Sequence, residues 1–123
     1  MSIKEKMHKA AIKYLELSGR EAVESHQFYD EEDSNFITYI EDDLLHICVV
    51  ASHWDLESIP TFVADGLIDS LFNEDIDESF YDKRIVFDVI GFKILNNNRA
   101  IIKHGININV NDGFRFDDDE EDN

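Results

Sequence analysis

The segment Leu44–Ala51, reading LLHICVVA, constrains this chain more than any other. Nearly every position is apolar, so the alternation of a strand with one wet face is missing, and the run fits a central strand covered on both sides. Such a strand needs hydrogen-bonding neighbours at both edges and other elements over both faces. An isolated hairpin could not supply them.

The flanking sequence does. Residues 36–40 read as a second strand, and Glu41-Asp42-Asp43 is short enough to join the two as a hairpin. A weaker strand is expected over residues 22–29, ended by the polar cluster 30–35. After Ala51, residues 60–73 read as a helix: Pro60 suits its first turn, and Val63, Leu67, Ile68, Leu71 and Phe72 recur at helical spacing. Gly66 sits inside it at a cost of about 1 kcal/mol relative to Ala. Residues 84–94 and 99–108 are rich in branched apolar side chains and flank Asn96-Asn97-Asn98, a second hairpin. At the start, Ile3, Met7, Ala10, Ala11, Tyr14, Leu15 and Leu17 mark an amphipathic helix over 3–17. Lysines form its wet face and Gly19 stands at its stop. This order predicts an α/β fold, a mixed central β-sheet flanked by two helices, with helix 60–73 carrying the chain from one hairpin to the next.

With 123 residues, one core is expected, a single domain over 1–111, since two would each be too small. Residues 112–123 hold seven acids and Arg115 and have no apolar periodicity, which predicts a disordered acidic tail. The tail contributes -6 to the net charge of -17, leaving -11 on residues 1–111. Nucleic-acid affinity comes mostly from Lys and Arg at phosphates, so this balance disfavours nucleic acid as a partner. No stretch has the roughly 20 apolar residues of a membrane span, and the charged start, MSIKEKMHKA, lacks a signal peptide's apolar run. No membrane partner and a cytoplasmic location are expected. The single cysteine, Cys48, lies in the apolar run and fits a reduced, buried thiol.

Four constellations invite chemistry. Glu31-Glu32-Asp33 and Glu41-Asp42-Asp43 offer carboxylate oxygens to a hard cation, but acids clustered in turns are ordinarily just solvated. His46, Cys48 and His53 are zinc-type ligands without the spacing of a structural zinc site. Asp88 and His104 would suit acid–base work, yet no Ser or Cys nucleophile is tied to them in sequence; a packed histidine at a sheet edge is the plainer reading. Phe28, Tyr29, Phe36, Tyr39 and Trp54 could stack on bases only beside a basic groove, and the sequence shows none.

Several segments together resemble the YraN-type endonuclease family. MHKAAIKYLELSG is similar to that family's first helix and its closing Gly, RIVFDVIGF to its late RFDVV strand with Asp88 at the matching position, and RAIIKHGININ to its closing strand. The resemblance covers roughly residues 5–108 and implies a restriction-endonuclease-like fold. Matching positions of unassigned role are Asp88, Arg99, His104 and Asn107. Nucleases of this fold hold Mg²⁺ between an acid on one strand and a Glu followed by Lys on the next. In the family these fall in EIDLI and FVEVK. Here the first acid is replaced by Phe36 or a neighbour, the Glu by about Val49 and the Lys by about Ala51, and residues 36–40 and 44–51 contain no carboxylate. The expectation is a degenerate nuclease fold with no catalytic residue, no metal ligand and no cofactor, acting by binding an unknown protein partner. The alternatives are an Mg²⁺-dependent DNA endonuclease with a displaced active site, and an acidic interaction protein that mimics nucleic acid.

Overall fold

The computed structural model describes residues 2–28, 35–52, 58–74, 76, 78–96 and 99–111. Helix α1 spans Ile3–Leu17 and opens on a capping box: the Ser2 hydroxyl accepts the Glu5 N–H at 3.1 Å, and the Glu5 carboxylate accepts the Ser2 N–H at 2.9 Å. Met7, Ala11 and Leu15 form its buried stripe, while Ile3 and Leu17, at the two ends, are exposed. Gly19, at φ 85°, turns the chain out of the helix.

Strands β1 (Glu21–Gln27), β2 (Asn35–Glu41), β3 (Leu44–Ala51), β5 (Arg84–Asn96) and β6 (Arg99–Gly105) make one sheet in the order β1-β2-β3-β5-β6. The apolar run is thus the middle strand, as its composition requires. β1–β2, β2–β3 and β5–β6 are antiparallel and β3–β5 is parallel, so the sheet is mixed. Asp42 and Asp43 make the β2–β3 turn at φ 56° and 63°, the left-handed pair of a two-residue hairpin turn. Helix α2 (Thr61–Phe72) belongs to the crossover between β3 and β5.

Each face of the sheet carries one helix and its own core. Leu45, Ile47, Phe87 and Val89 face α2 and pack with Ala64, Leu67 and Leu71. Ile37, Tyr39, Cys48 and Ile90 face the other way and pack with Met7, Ala11 and Leu15 of α1. The period-two alternation of each strand feeds both cores.

Some boundaries differ from the sequence reading. Pro60 is the N-cap of α2, not its first helical residue; it closes a three-residue strand, β4 (Ser58–Pro60). The last strand stops at Gly105 instead of 108, because Asn107 adopts φ 54° and turns the chain. Asn109–Asn111, β7, then pairs in parallel with β4 as a separate two-stranded sheet. Segments of three residues are too short to show a period, which is why sequence pattern missed them. A 3₁₀ turn over Glu78–Asp82 precedes β5 and buries Phe80. Gly66 has a packing reason: a Cβ there would lie 3.3 Å from the Phe28 ring. The acidic cluster 31–33, Tyr29, His53, Trp54 and the tail 112–123 lie outside the described residues. Among those described, no helix is long and apolar enough to cross a membrane.

Leu71, fully buried between α2 and the sheet, should lose about 2–5 kcal/mol of folding stability as Leu71→Ala. Leu17→Ala, at an exposed position, should stay within about 0.5 kcal/mol. Urea unfolding of both variants measures the contrast.

Candidate functional site

The polar centre of the molecule lies on the α1 face, beneath the helix, around a wholly buried carboxylate. Asp88 sits in β5 opposite Cys48 of β3, and its side chain points away from α2 with those of Ile90 and Phe92. Its Oδ1 accepts the His46 Nδ1–H at 3.0 Å and the Asn107 backbone N–H at 3.0 Å. Its Oδ2 accepts the Tyr39 hydroxyl and the His104 Nε2–H, the latter at 2.8 Å, and the Cys48 thiol points to the same oxygen at 3.8 Å.

Register explains the convergence. Tyr39 pairs with His46 across β2–β3, Cys48 with Asp88 across β3–β5, and His104 lies opposite Ile90, one pleat from Asp88. The left-handed turn at Asn107 aims its amide back at the carboxylate. Around the cluster, the Tyr39 and His46 rings stack at 4.4 Å, and the Tyr14 hydroxyl of α1 hydrogen-bonds His104 Nδ1 at 2.9 Å. The Arg20 guanidinium lies 5.4 Å from the Tyr39 ring centre and 5.8 Å from that of Tyr14, a cation held over two aromatic rings. Arg20 Nε is 3.4 Å from Glu41 Oε1 but makes no hydrogen bond, so that contact is an ion pair by distance only.

Burial by itself raises the Asp88 pKa, but hydrogen bonds from His104, Tyr39, His46 and Asn107 outweigh it and hold the carboxyl at about 2. Asp88 is therefore a carboxylate at neutral pH. Burial pushes the Cys48 thiol well up, reinforced by the adjacent Asp88 charge, and the same two causes raise Tyr39. Both stay protonated and donate.

Of the four positions matched by resemblance, Asp88, His104 and Asn107 meet here. Arg99 does not: it pairs with Asn96 at the far end of β6 and lines a shallow groove with Lys6 and Ile3. His46 shares a face with Cys48 as its i, i+2 spacing implies, whereas His53 lies outside the described residues. Tyr39 and Tyr14 were not legible as partners, because neither carries a spacing signal toward Asp88. Among the described residues, one group of at least three side chains has metal-ligating atoms close together: Cys48, Asp88 and His104, within 4.8 Å of one another. The Tyr14–His104–Asp88 chain has the connectivity of a hydroxyl, base and orienter, but Asp88 is fully enclosed and its acceptors are occupied. A substrate has no approach to it from the grooves described.

The opposite face is different. Phe36 and Val49 pack in the α2 core and line a cleft of about 960 Å³ at one end of β2 and β3, with Val63 and Leu67 on one side and the first turns of α1, including Lys4, Glu5 and His8, on the other. Next to them, buried Thr38 accepts or donates at 2.7 Å with His26 Nε2, and His26 Nδ1 meets Glu74 at 2.9 Å. Phe36 and Tyr39 are core residues, so neither belongs to an exposed base-stacking platform. Of the two acid runs, Asp42 and Asp43 form the hairpin turn, where Asp43 pairs with Lys83 at 3.1 Å.

The depressed Asp88 pKa fixes a sign. Stability from this carboxylate is complete above its unfolded value near 3.8 and is lost as pH falls through about 2. Asp88→Asn should flatten acid unfolding in that window and cost about 3–5 kcal/mol at pH 7, since it leaves buried donors misdirected. Denaturant titrations at several pH values check both. Comparison with protein-family models, curated proteins and solved structures finds no match to the chain.

Proposed function

We propose that this chain is a non-catalytic protein with a degenerate YraN-like nuclease fold that acts in the cytoplasm by binding a protein partner. The observation that carries this reading is the pairing of Phe36 and Val49 in one cleft. Those are the positions where the resemblance would place metal-holding carboxylates, and both side chains are apolar and packed into the α2 core. A divalent cation that activates water needs oxygen ligands converging from separate elements; these two positions offer none, and the one carboxylate among the described lining residues, Glu5, is bonded to the Ser2 N–H.

Binding is supported by the outer half of the β5–β6 hairpin. Residues 89–111 contain no Asp or Glu but hold Lys93, Arg99 and Lys103, in a chain whose net charge is -17. β6 is an edge strand, and Ile94, Leu95, Ile101 and Ile102 are exposed there. An apolar edge of this kind is a template for strand addition or for packing by another chain. It is also where the acidic surface gives way, so a partner meets less charge repulsion here than elsewhere.

Purified protein should cleave neither linear, branched nor single-stranded DNA in Mg²⁺ or Mn²⁺. Metal-dependent cleavage abolished by Glu74→Gln or Asp43→Asn would overturn the reading in favour of a displaced active site.

A further inference from the structure

One oxygen of Asp88 is over-subscribed. A carboxylate oxygen has about two lone-pair directions for hydrogen bonds, yet Tyr39 Oη, His104 Nε2 and Cys48 Sγ all point at Oδ2. The other oxygen is saturated differently, by the His46 Nδ1–H and the Asn107 N–H, which anchor the carboxylate from behind. His104 is anchored the same way, its Nδ1 held by Tyr14. Metal sites share this plan: each ligand's far side is fixed by an outer hydrogen bond while the near atoms converge.

We propose that Cys48, Asp88 and His104 form a structural site for a zinc-class divalent ion. Sulfur, imidazole nitrogen and carboxylate oxygen come from three adjacent strands, and their ligand atoms lie within 4.8 Å of one another. A thiolate with an imidazole selects a borderline ion such as Zn²⁺ or Co²⁺ over Mg²⁺ or Ca²⁺, which prefer all-oxygen shells. Zinc bonds of about 2.0–2.3 Å set tetrahedral ligand separations of roughly 3.3–3.7 Å. The present 2.8 Å between His104 and Asp88 must open and the 3.8 Å between Cys48 and Asp88 nearly suffices.

The proton and charge balance is simple. The Cys48 S–H bond breaks, its proton leaves to solvent, and the thiolate bonds the metal. In the loaded site His104 binds the ion through Nε2 and carries its proton on Nδ1, donated to Tyr14 Oη. The metal-free cluster buries the Asp88 carboxylate charge. The loaded site sums to zero, two positive charges against thiolate and carboxylate, which removes the cost of that buried charge. His104 lies on the edge strand β6, so loading is expected during folding or when that edge opens.

The chain's single cysteine makes the test specific. Untagged protein is unfolded, reduced, freed of metal with a chelator and refolded with one equivalent of Co²⁺. The expected result is a near-ultraviolet thiolate-to-cobalt charge-transfer band with visible bands of four-coordinate cobalt, both erased by added Zn²⁺. Such a band can arise only from Cys48, so wild-type protein alone suffices if Cys48→Ser fails to fold. Zn²⁺, and not Mg²⁺, should raise the thermal midpoint, and His104→Gln should weaken Co²⁺ affinity at least about tenfold. Wild-type protein that refolds fully yet shows no charge-transfer band, or no Zn²⁺-dependent midpoint shift, overturns the proposal. The nuclease assay is independent of either outcome.

Discussion

A carboxylate placed in the middle of a sheet loses several kcal/mol of hydration unless its lone pairs are met from all sides. Asp88 meets that demand by drawing on β2, β3, β6, the turn at Asn107 and, through His104, helix α1. Each donor fixes a neighbour. Tyr39 and His46 set the phase of β2 and β3, His104 ties down the edge strand, and Tyr14 docks α1 over the sheet. A slip of one residue in any of these strands would turn a donor to the other face and leave the charge bare. The polar cluster therefore specifies register where the surrounding Ile, Leu and Phe side chains, which pack in several ways, do not.

Much of the architecture could be read from local pattern, because local pattern is what sets it. The unbroken apolar run of Leu44–Ala51 announced a middle strand, and the helical spacing of Val63, Leu67 and Leu71 announced the crossover helix. The same logic failed at β4 and β7, whose three residues each hold place through pairing with one another. It failed more informatively at the site. Asp88 and His104 stood out as one candidate pair and His46 and Cys48 as another on one face, but nothing joined the two pairs. Nothing in a single sequence reports that β3 lies beside β5 in the register that sets Cys48 against Asp88. Tyr39 and Tyr14 look like ordinary core aromatics until that register is known.

The distribution of polarity across the sheet bears on function. An enzyme of this layered kind places convergent polar groups where a substrate can reach them and leaves the enclosed face apolar. Here the arrangement is reversed. The convergent polar groups lie enclosed on the α1 face, and the accessible cleft at the end of β2 and β3 joins apolar Phe36, Val49 and Leu67 to the first turns of α1, where Glu5 is held in its capping bonds to Ser2. The trio His26, Thr38 and Glu74, whose His26 ring stacks on Phe36, has one carboxylate, and His26 is committed to both partners. A group with its lone pairs and protons already paired does little chemistry without first breaking those bonds.

The charge pattern completes the argument. A surface as acidic as this one keeps most polyanions and most copies of itself at a distance, through a field that decays over about 8 Å in physiological salt. The acid-free stretch 89–111 interrupts that field at the place where, among the described residues, the sheet ends at the edge strand β6, with four exposed aliphatic side chains nearby. Unprotected edges are ordinarily blunted by inward charges, prolines or bulges. This one has a register shift between Ile94 and Asn96 and cations at Lys93, Arg99 and Lys103, which discourage flat self-stacking without covering the apolar side chains. Ile101 and Ile102 thus lie beside cations on an edge strand, a combination that opposes stacking of this strand on a copy of itself while leaving its apolar side chains exposed.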